Sequence, residues 1–154
     1  MMARPERFRL GLLIGLGLLW VAHASAVEIN PPLATGTLVI ADRVKLTVEL
    51  ARTSAEQVRG LSGRPPLKNG QGMLFVYDSP RPVSIWMKDM LFALDIVWIR
   101  DGRIVAIEKR APPLDSTGPE RVYTALADLV LEVPAGFTDR QKIRVGDSVR
   151  TTLP

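Results

Sequence analysis

The chain has no cysteine and a single histidine among its 154 residues. That histidine, His23, sits in an N-terminal segment with the pattern of an export leader, so the mature chain is expected to carry neither residue. Their absence excludes Ser-His-Asp and Cys-His nucleophile systems, histidine acid–base catalysis, disulfides, haem attachment, a lipid-modified N-terminus and ordinary zinc or copper sites. Carboxylate, lysine, arginine, tyrosine and hydroxyl chemistry remain, or none. Aromatic residues make up only 6% of the chain. Neither a Gly-x-Gly-x-x-Gly nor a Walker pattern is present, so Arg59-Gly60 and Arg64 beside their glycines are weak as a phosphate site. No internal repeat or low-complexity tract appears.

Arg4, Arg7 and Arg9 precede an apolar run over residues 10–21, followed by Ala22-His23-Ala24-Ser25-Ala26. This order fits a signal peptide over residues 1–26, cleaved before Val27. The run is shorter than the roughly 20 residues a spanning helix needs; an uncleaved anchor is the alternative. A periplasmic or secreted protein with no membrane attachment after cleavage is expected. Part of the formal charge of +4 belongs to the leader. The rest forms no basic stripe, so nucleic acid is not an expected partner.

Residues 27–36 read as a spacer and 37–154 as one β-rich domain. Residues 37–40 and 44–50 are strand-like, the second alternating Val44, Leu46, Val48 and Leu50 with polar neighbours, and the short link between them suits a hairpin. Ser54 with Gln57 three residues later is a capping-box pattern, and Gly60 is placed to end the short helix. Residues 62–72 are a loop and 73–77 a strand, and Asp78-Ser79-Pro80-Arg81-Pro82 is expected to turn the chain.

Residues 84–109 hold two of the three tryptophans and the densest apolar run. Asp101-Gly102 inside that stretch is a strong hairpin signal. Arg100 then faces Arg103, Ile99 faces Ile104 and Trp98 faces Val105; continued in step, Asp95 falls opposite Glu108. A loop over 111–120, strands over 121–126 and 129–133, a helical turn over 137–142 and a last strand over 148–153 complete the chain. Together these elements predict a mainly β fold: a compact, mostly antiparallel barrel-like or sandwich-like domain with one or two short helices.

Several motifs fall in order along this frame: Arg59-Gly60-Leu61-x-Gly63-Arg64, Gly72-Met73-Leu74-Phe75, Trp86-Met87-Lys88-Asp89, Leu94-Asp95-Ile96, Asp101-Gly102, Leu131-Glu132-Val133-Pro134-Ala135-Gly136 and Gly146-Asp147-x-Val149. They resemble the domain of unknown function 192 family, over Val44 to about Thr151. The resemblance implies a small, single-domain, often exported β-barrel-like protein with no agreed activity. Ser62, Asp89-Met90 and Ala93 depart from that pattern, which more commonly has Met, Asn-Thr and Pro there.

Arg59, Trp86, Lys88, Asp89 and Asp95 are the candidate ligand-binding residues, forming a polar cleft with Trp86 as its aromatic floor. The competing reading, and the favoured one, is a structural ion pair in which Arg59 or Lys88 neutralises Asp95. The Asp95–Glu108 juxtaposition sets like charges together. Lys88, Arg59 or Arg110, a shared proton, or a hard cation such as Ca²⁺ or Mg²⁺ could offset them, making Asp95 and Glu108 a weak metal candidate. A bulge that turns Glu108 into water is the preferred explanation. Asp95 with Glu132 or Glu108 could also serve as a hydrolase pair, with Trp86 and Trp98 as sugar platforms; of the two, Trp98 suits the core and Trp86 the surface.

The expected function is a monomeric, non-catalytic binding or accessory domain for a small polar molecule or envelope glycan, with no cofactor. The alternatives are a carboxylate-based hydrolase acting on cell-envelope material, and a module recruiting a protein by strand addition to a sheet edge.

Overall fold

The computed structural model describes residues 30–114 and 121–154. The leader, its cleavage site and part of the loop expected over 111–120 lie outside the described residues. Seven strands and two short helices follow in the order β1 (Thr35–Ile40), β2 (Val44–Ala51), α1 (Ser54–Arg59), β3 (Gln71–Trp86), β4 (Leu94–Arg100), β5 (Arg103–Ala111), β6 (Val122–Pro134), α2 (Phe137–Arg140) and β7 (Val149–Thr152). They make one sheet, ordered β5-β4-β6-β3-β2-β1-β7. Every pairing is antiparallel except β2 with β3, which α1 and the following loop connect.

The sheet is a curled half-barrel whose two outer strands meet at one end. Ile104 N–H donates to Asp147 O, Gly146 N–H to Ile104 O and Val149 N–H to Gly102 O, at 2.8–3.0 Å. Asp101 and Gly102 sit at φ 52° and 70°, the positive values a type I′ turn requires. The first hairpin is turned the same way by Ala41 and Asp42, at φ 48° and 54°, without glycine. The predicted hairpin thus does more than reverse the chain: it meets β7 and draws the sheet round.

Period-two alternation gives the sheet two buried faces. Leu46, Val48, Leu50, Leu74, Val97, Ile99, Leu131 and Val133 pack inside the curl. Met73, Phe75, Ile96, Trp98 and Val130 pack on the outside, under Leu61, Met87 and Met90 from the connecting loops. Strand β4 is buried on both faces, which explains its apolar run from Ile96 to Ile99.

Two strands are longer than expected. Residues 78–82 do not turn the chain; β3 runs through them to Trp86, with its register against β6 shifting between Val76 and Arg81. The bulge accommodates Pro80, because residues there have no ladder partner to satisfy, while Pro82 lies beyond it in register with Leu126. Likewise the strands expected over 121–126 and 129–133 are one strand, β6. Beyond the bulge, the 81–86 and 122–127 arms form a two-stranded ribbon. Val83 and Ile85 on that ribbon belong to the same cluster as Trp98, whose indole N–H donates to Val83 O at 3.1 Å.

Gly72 leaves no room for a side chain between β3 and β6. A Cβ there would stand 2.9 Å from Glu132 O and 3.0 Å from Leu131 Cδ1. Gly72→Ala is expected to lower unfolding stability by about 1–3 kcal/mol in urea melts, as overpacking does; an unchanged midpoint would show that the two strands can separate freely.

Candidate functional site

Helix α1 begins one residue earlier than expected. Thr53, not Ser54, is its N-cap, and Glu56 completes the capping box by accepting the backbone N–H groups of Arg52 and Thr53 at 2.8 Å. A carboxylate at this position takes two N–H donors, which leaves the Gln57 amide free for another task. Its Nε2 donates to Val76 O at 2.9 Å, pinning the helix to β3 just before the bulge. Gly60 follows as the C-cap, as predicted.

Between this pinned helix and the ribbon lies a cleft of about 450 Å³. Arg59, Ser62, Tyr77, Arg81, Trp86 and Glu132 are among the residues lining it. Its size falls within the range of small-ligand sites. Trp86 is 46% exposed, beside Val122 across the ribbon, and both side chains are open to solvent. The Arg81 guanidinium carbon lies 5.3 Å from the Tyr77 ring centroid, a cation–π contact.

Glu132 is the unusual group. It is 4% exposed, and its Oε2 is buried without a hydrogen-bond partner. Desolvation pushes its carboxyl up to about 8, so it is mostly protonated at neutral pH. Burial also raises the Tyr77 hydroxyl; Arg81 opposes that shift and Glu132 adds to it. Tyr77 therefore lies within electrostatic reach of both the acid and the arginine.

The candidates separate cleanly. Arg59, Trp86 and Glu132 line the cleft; Lys88, Asp89, Asp95 and Glu108 do not. Lys88 and Asp89 act through their backbone carbonyls, which accept from the Ser62 hydroxyl at 3.1 Å and the Gly63 N–H at 2.9 Å. Their side chains are exposed on a loop anchored by buried Met87 and Met90. At φ 57°, Asp89 occupies the left-handed region that Asp and Asn tolerate better than most residues.

Asp95 belongs to the fold. It is fully buried and accepts four hydrogen bonds: Arg110 N–H, Gly136 N–H and Thr138 N–H, each at 2.9 Å, and the Thr138 hydroxyl at 2.6 Å. The expected ion pair with Arg59 or Lys88 is absent from the described salt bridges; backbone donors neutralise Asp95 in their place. Asp95 thus stitches β4 to the end of β5 and the start of α2. Arg110 and Lys109 reinforce the seam by pairing with Asp139 at 2.7 Å, and those bonds hold its carboxyl below the usual range.

Two further expectations are corrected by register. The hairpin follows the predicted pairing at Arg100–Arg103 and Ile99–Ile104, then shifts, so Trp98 faces Ala106 and Ile96, not Asp95, faces Glu108. Asp95 and Glu108 therefore form no opposed pair and no metal site. Asp95 pairs with Val133 and Ile96 with Glu132, so Asp95 and Glu132 point to opposite faces of the sheet and cannot flank one glycosidic bond. Glu108 shares the face of Glu132 but lies two strands away, about 10 Å between backbones, with Ile96 between them.

Arg81 was missed because the segment holding it reads as a turn, and Tyr77 because it reads only as the last residue of a buried strand. The available signal was Glu132 itself, a lone acid in the otherwise apolar Leu129-Val130-Leu131-Glu132-Val133.

A second recess, lined by Glu49, Arg64, Pro65 and Leu67 among others, is already satisfied. Arg64 grips Glu49 with two hydrogen bonds of 2.6 and 2.9 Å. Burial works against ionisation of Glu49, but the Arg64 bond and the Leu33 N–H together hold its carboxyl below the ordinary value.

A curled, mostly antiparallel half-barrel with one cleft on its outer face defines a small single-domain β protein. The chain belongs to the DUF192 family, described as an uncharacterized ACR, whose profile matches residues 37–151. Among solved structures, a Sinorhizobium meliloti 1021 protein provisionally named a transcription regulator is similar, at 30% identity and a TM-score of 0.72, over 79% of this chain and 96% of that one. A protein of unknown function from Novosphingobium aromaticivorans DSM 12444 is similar at 32% identity and a TM-score of 0.71, over 84% and 94%. No curated protein matches the chain.

The two buried acids should respond oppositely to removal. Asp95→Ala strands four donors, three of them buried, and is expected to cost at least about 3 kcal/mol in denaturant melts. Glu132 has a raised folded pKa, so the stability linked to its proton is fully present below about pH 4.5 and is lost as pH rises to about 8. The loss approaches ~1.4 kcal/mol per pH unit within that window. Glu132→Gln should abolish that slope between pH 5 and 8 and be more stable than the native chain at pH 9; parallel slopes in the two proteins would contradict it.

Proposed function

We propose that this protein is an exported, non-catalytic binding domain whose small polar ligand occupies the cleft between α1 and the β3–β6 ribbon. The observation that carries this reading is the buried, unpartnered oxygen of Glu132 in a cleft that an exposed tryptophan also lines. A buried polar group without a partner costs roughly 1–3 kcal/mol, and a ligand donor reaching it would remove that cost. Trp86 supplies an open aromatic face for a sugar ring or apolar stem, and Ser62, Ser84 and Gln57 add polar contacts. The leader pattern of residues 1–26 supports export, and N-terminal sequencing of the secreted product should begin at Val27.

Binding is favoured over hydrolysis because the two-carboxylate chemistry lacks its second acid: Glu132 is the only acidic residue lining the cleft among the described residues. The Sinorhizobium protein's name suggests nucleic-acid contact for that relative. Here the two described helices have six and four residues, too short to present a groove-reading helix.

A thermal-shift screen of the chain against sugars, amino sugars, amino acids and envelope-derived peptides tests the reading. A ligand at about 100 times its Kd should add ~2.7 kcal/mol of stability. Trp86→Ala is expected to weaken binding roughly tenfold, in keeping with an aromatic anchor. A hit indifferent to Trp86→Ala, or no hit at all, would defeat the cleft as the binding site.

A further inference from the structure

Resting on that cleft as the binding site, we infer that its ligand is a small zwitterion, with a primary ammonium directed inward at Glu132 and an anionic group held at the rim by Arg59 and Arg81. Three observations converge. The floor offers one carboxyl with a buried oxygen lacking any partner, and an ammonium presents three donors to such an acceptor. Arg59 and Arg81 line the same cleft, and neither forms a described salt bridge. Their exposed guanidinium groups suit a carboxylate or phosphate through paired N–H donors. Between the two ends stand aromatic walls, Phe75, Tyr77 and Trp86, whose ring faces favour a nearby cation.

A purely cationic ligand would meet both arginines on entering, and a purely anionic one would leave Glu132 unpaired. A neutral sugar would use the floor but not the rim charges. Only a molecule bearing both charges engages every polar feature.

The charge arrangement carries a proton with it. Tyr77 of β3 lies within electrostatic reach of Glu132, and Arg81 of β3 and Arg59 of α1 are the other titratable groups lining the cleft; Met73 and Ile96, paired with Glu132 on the neighbouring strands, are apolar. The empty site holds Glu132 mostly protonated at pH 7. Seating an ammonium there favours the carboxylate, and the proton leaves to solvent. A neutral ligand accepting from the acid has no such requirement.

Calorimetry on the whole chain at pH 7, in phosphate and in Tris, reads that proton directly. The probes are glycine, L-lysine and L-alanyl-L-alanine, their N-acetylated and C-amidated counterparts, and N-acetylglucosamine as the neutral control. At least one zwitterion should bind with release of close to one proton. Blocking either its amine or its acid should weaken it at least about tenfold, the loss expected for a charge-assisted contact. In Glu132→Gln the release should vanish and affinity fall roughly ten- to hundredfold. Arg59→Ala with Arg81→Ala should erase the preference for the free acid over the amide.

If N-acetylglucosamine or the amine-blocked probes bind as tightly and release no proton, the zwitterion inference is overturned while the cleft survives. If no zwitterion binds, it is overturned as well. A zwitterion that binds equally to Trp86→Ala and Glu132→Gln would reject both the inference and the cleft.

Discussion

The register of β4 against β6 is the constraint on which the rest depends. Because neighbouring residues on a strand face opposite ways, pairing Asp95 with Val133 and Ile96 with Glu132 sends the two buried acids to opposite sides of the sheet. A slip of one residue in β4 would flip every one of its side chains and carry Asp95 to the face of Glu132, which its pairing with Met73 on β3 holds in place. The seam at α2 would then lose its acceptor. One alignment therefore sets a structural carboxylate and the acid of the cleft a single register step apart.

Their contrast shows why burial alone says little about an acid. Asp95 is entirely enclosed, yet four donors converge on it, three of them backbone N–H groups fixed by the start of α2 and the end of β5. Hydrogen bonds of that number satisfy both of its carboxyl oxygens inside the protein. Glu132 is nearly as buried and has an oxygen with no donor, so it favours its neutral form. The first acid holds elements together; the second costs stability for as long as the cleft is empty.

Much of the fold was legible because it rests on local rules. Asp101-Gly102 specifies its turn through positive φ, Gly60 ends its helix, and the alternation of Val44 to Leu50 fixes a buried face. The site was less legible because it depends on departures from those rules. Nothing local states that the 101–102 hairpin shifts register beyond Ile99, and that shift separates Asp95 from Glu108. Pro80 and Pro82 read as a turn, since proline removes a ladder donor, but Pro80 falls in a bulge and Pro82 stays in register with Leu126, so the chain is not reversed. Of the residues expected at the cleft, Arg59 and Trp86 stand there, and Glu132 joins them from the hydrolase reading.

The residues that serve the cleft are those at which the rules of a β protein are broken together. An acid occupies a buried strand position, a tryptophan lies open on a ribbon, and a strand continues through two prolines. A domain under selection for stability alone gains from an apolar residue at position 132, since replacing an unpartnered buried carboxyl relieves its desolvation. The capping box of α1 and the saturated Asp95 are locally consistent. Conflict between local preference and observed structure that gathers at one concave place supports reading it as a binding site. The ribbon beyond the bulge and Glu132 line the same cleft, which brings these departures together in one place.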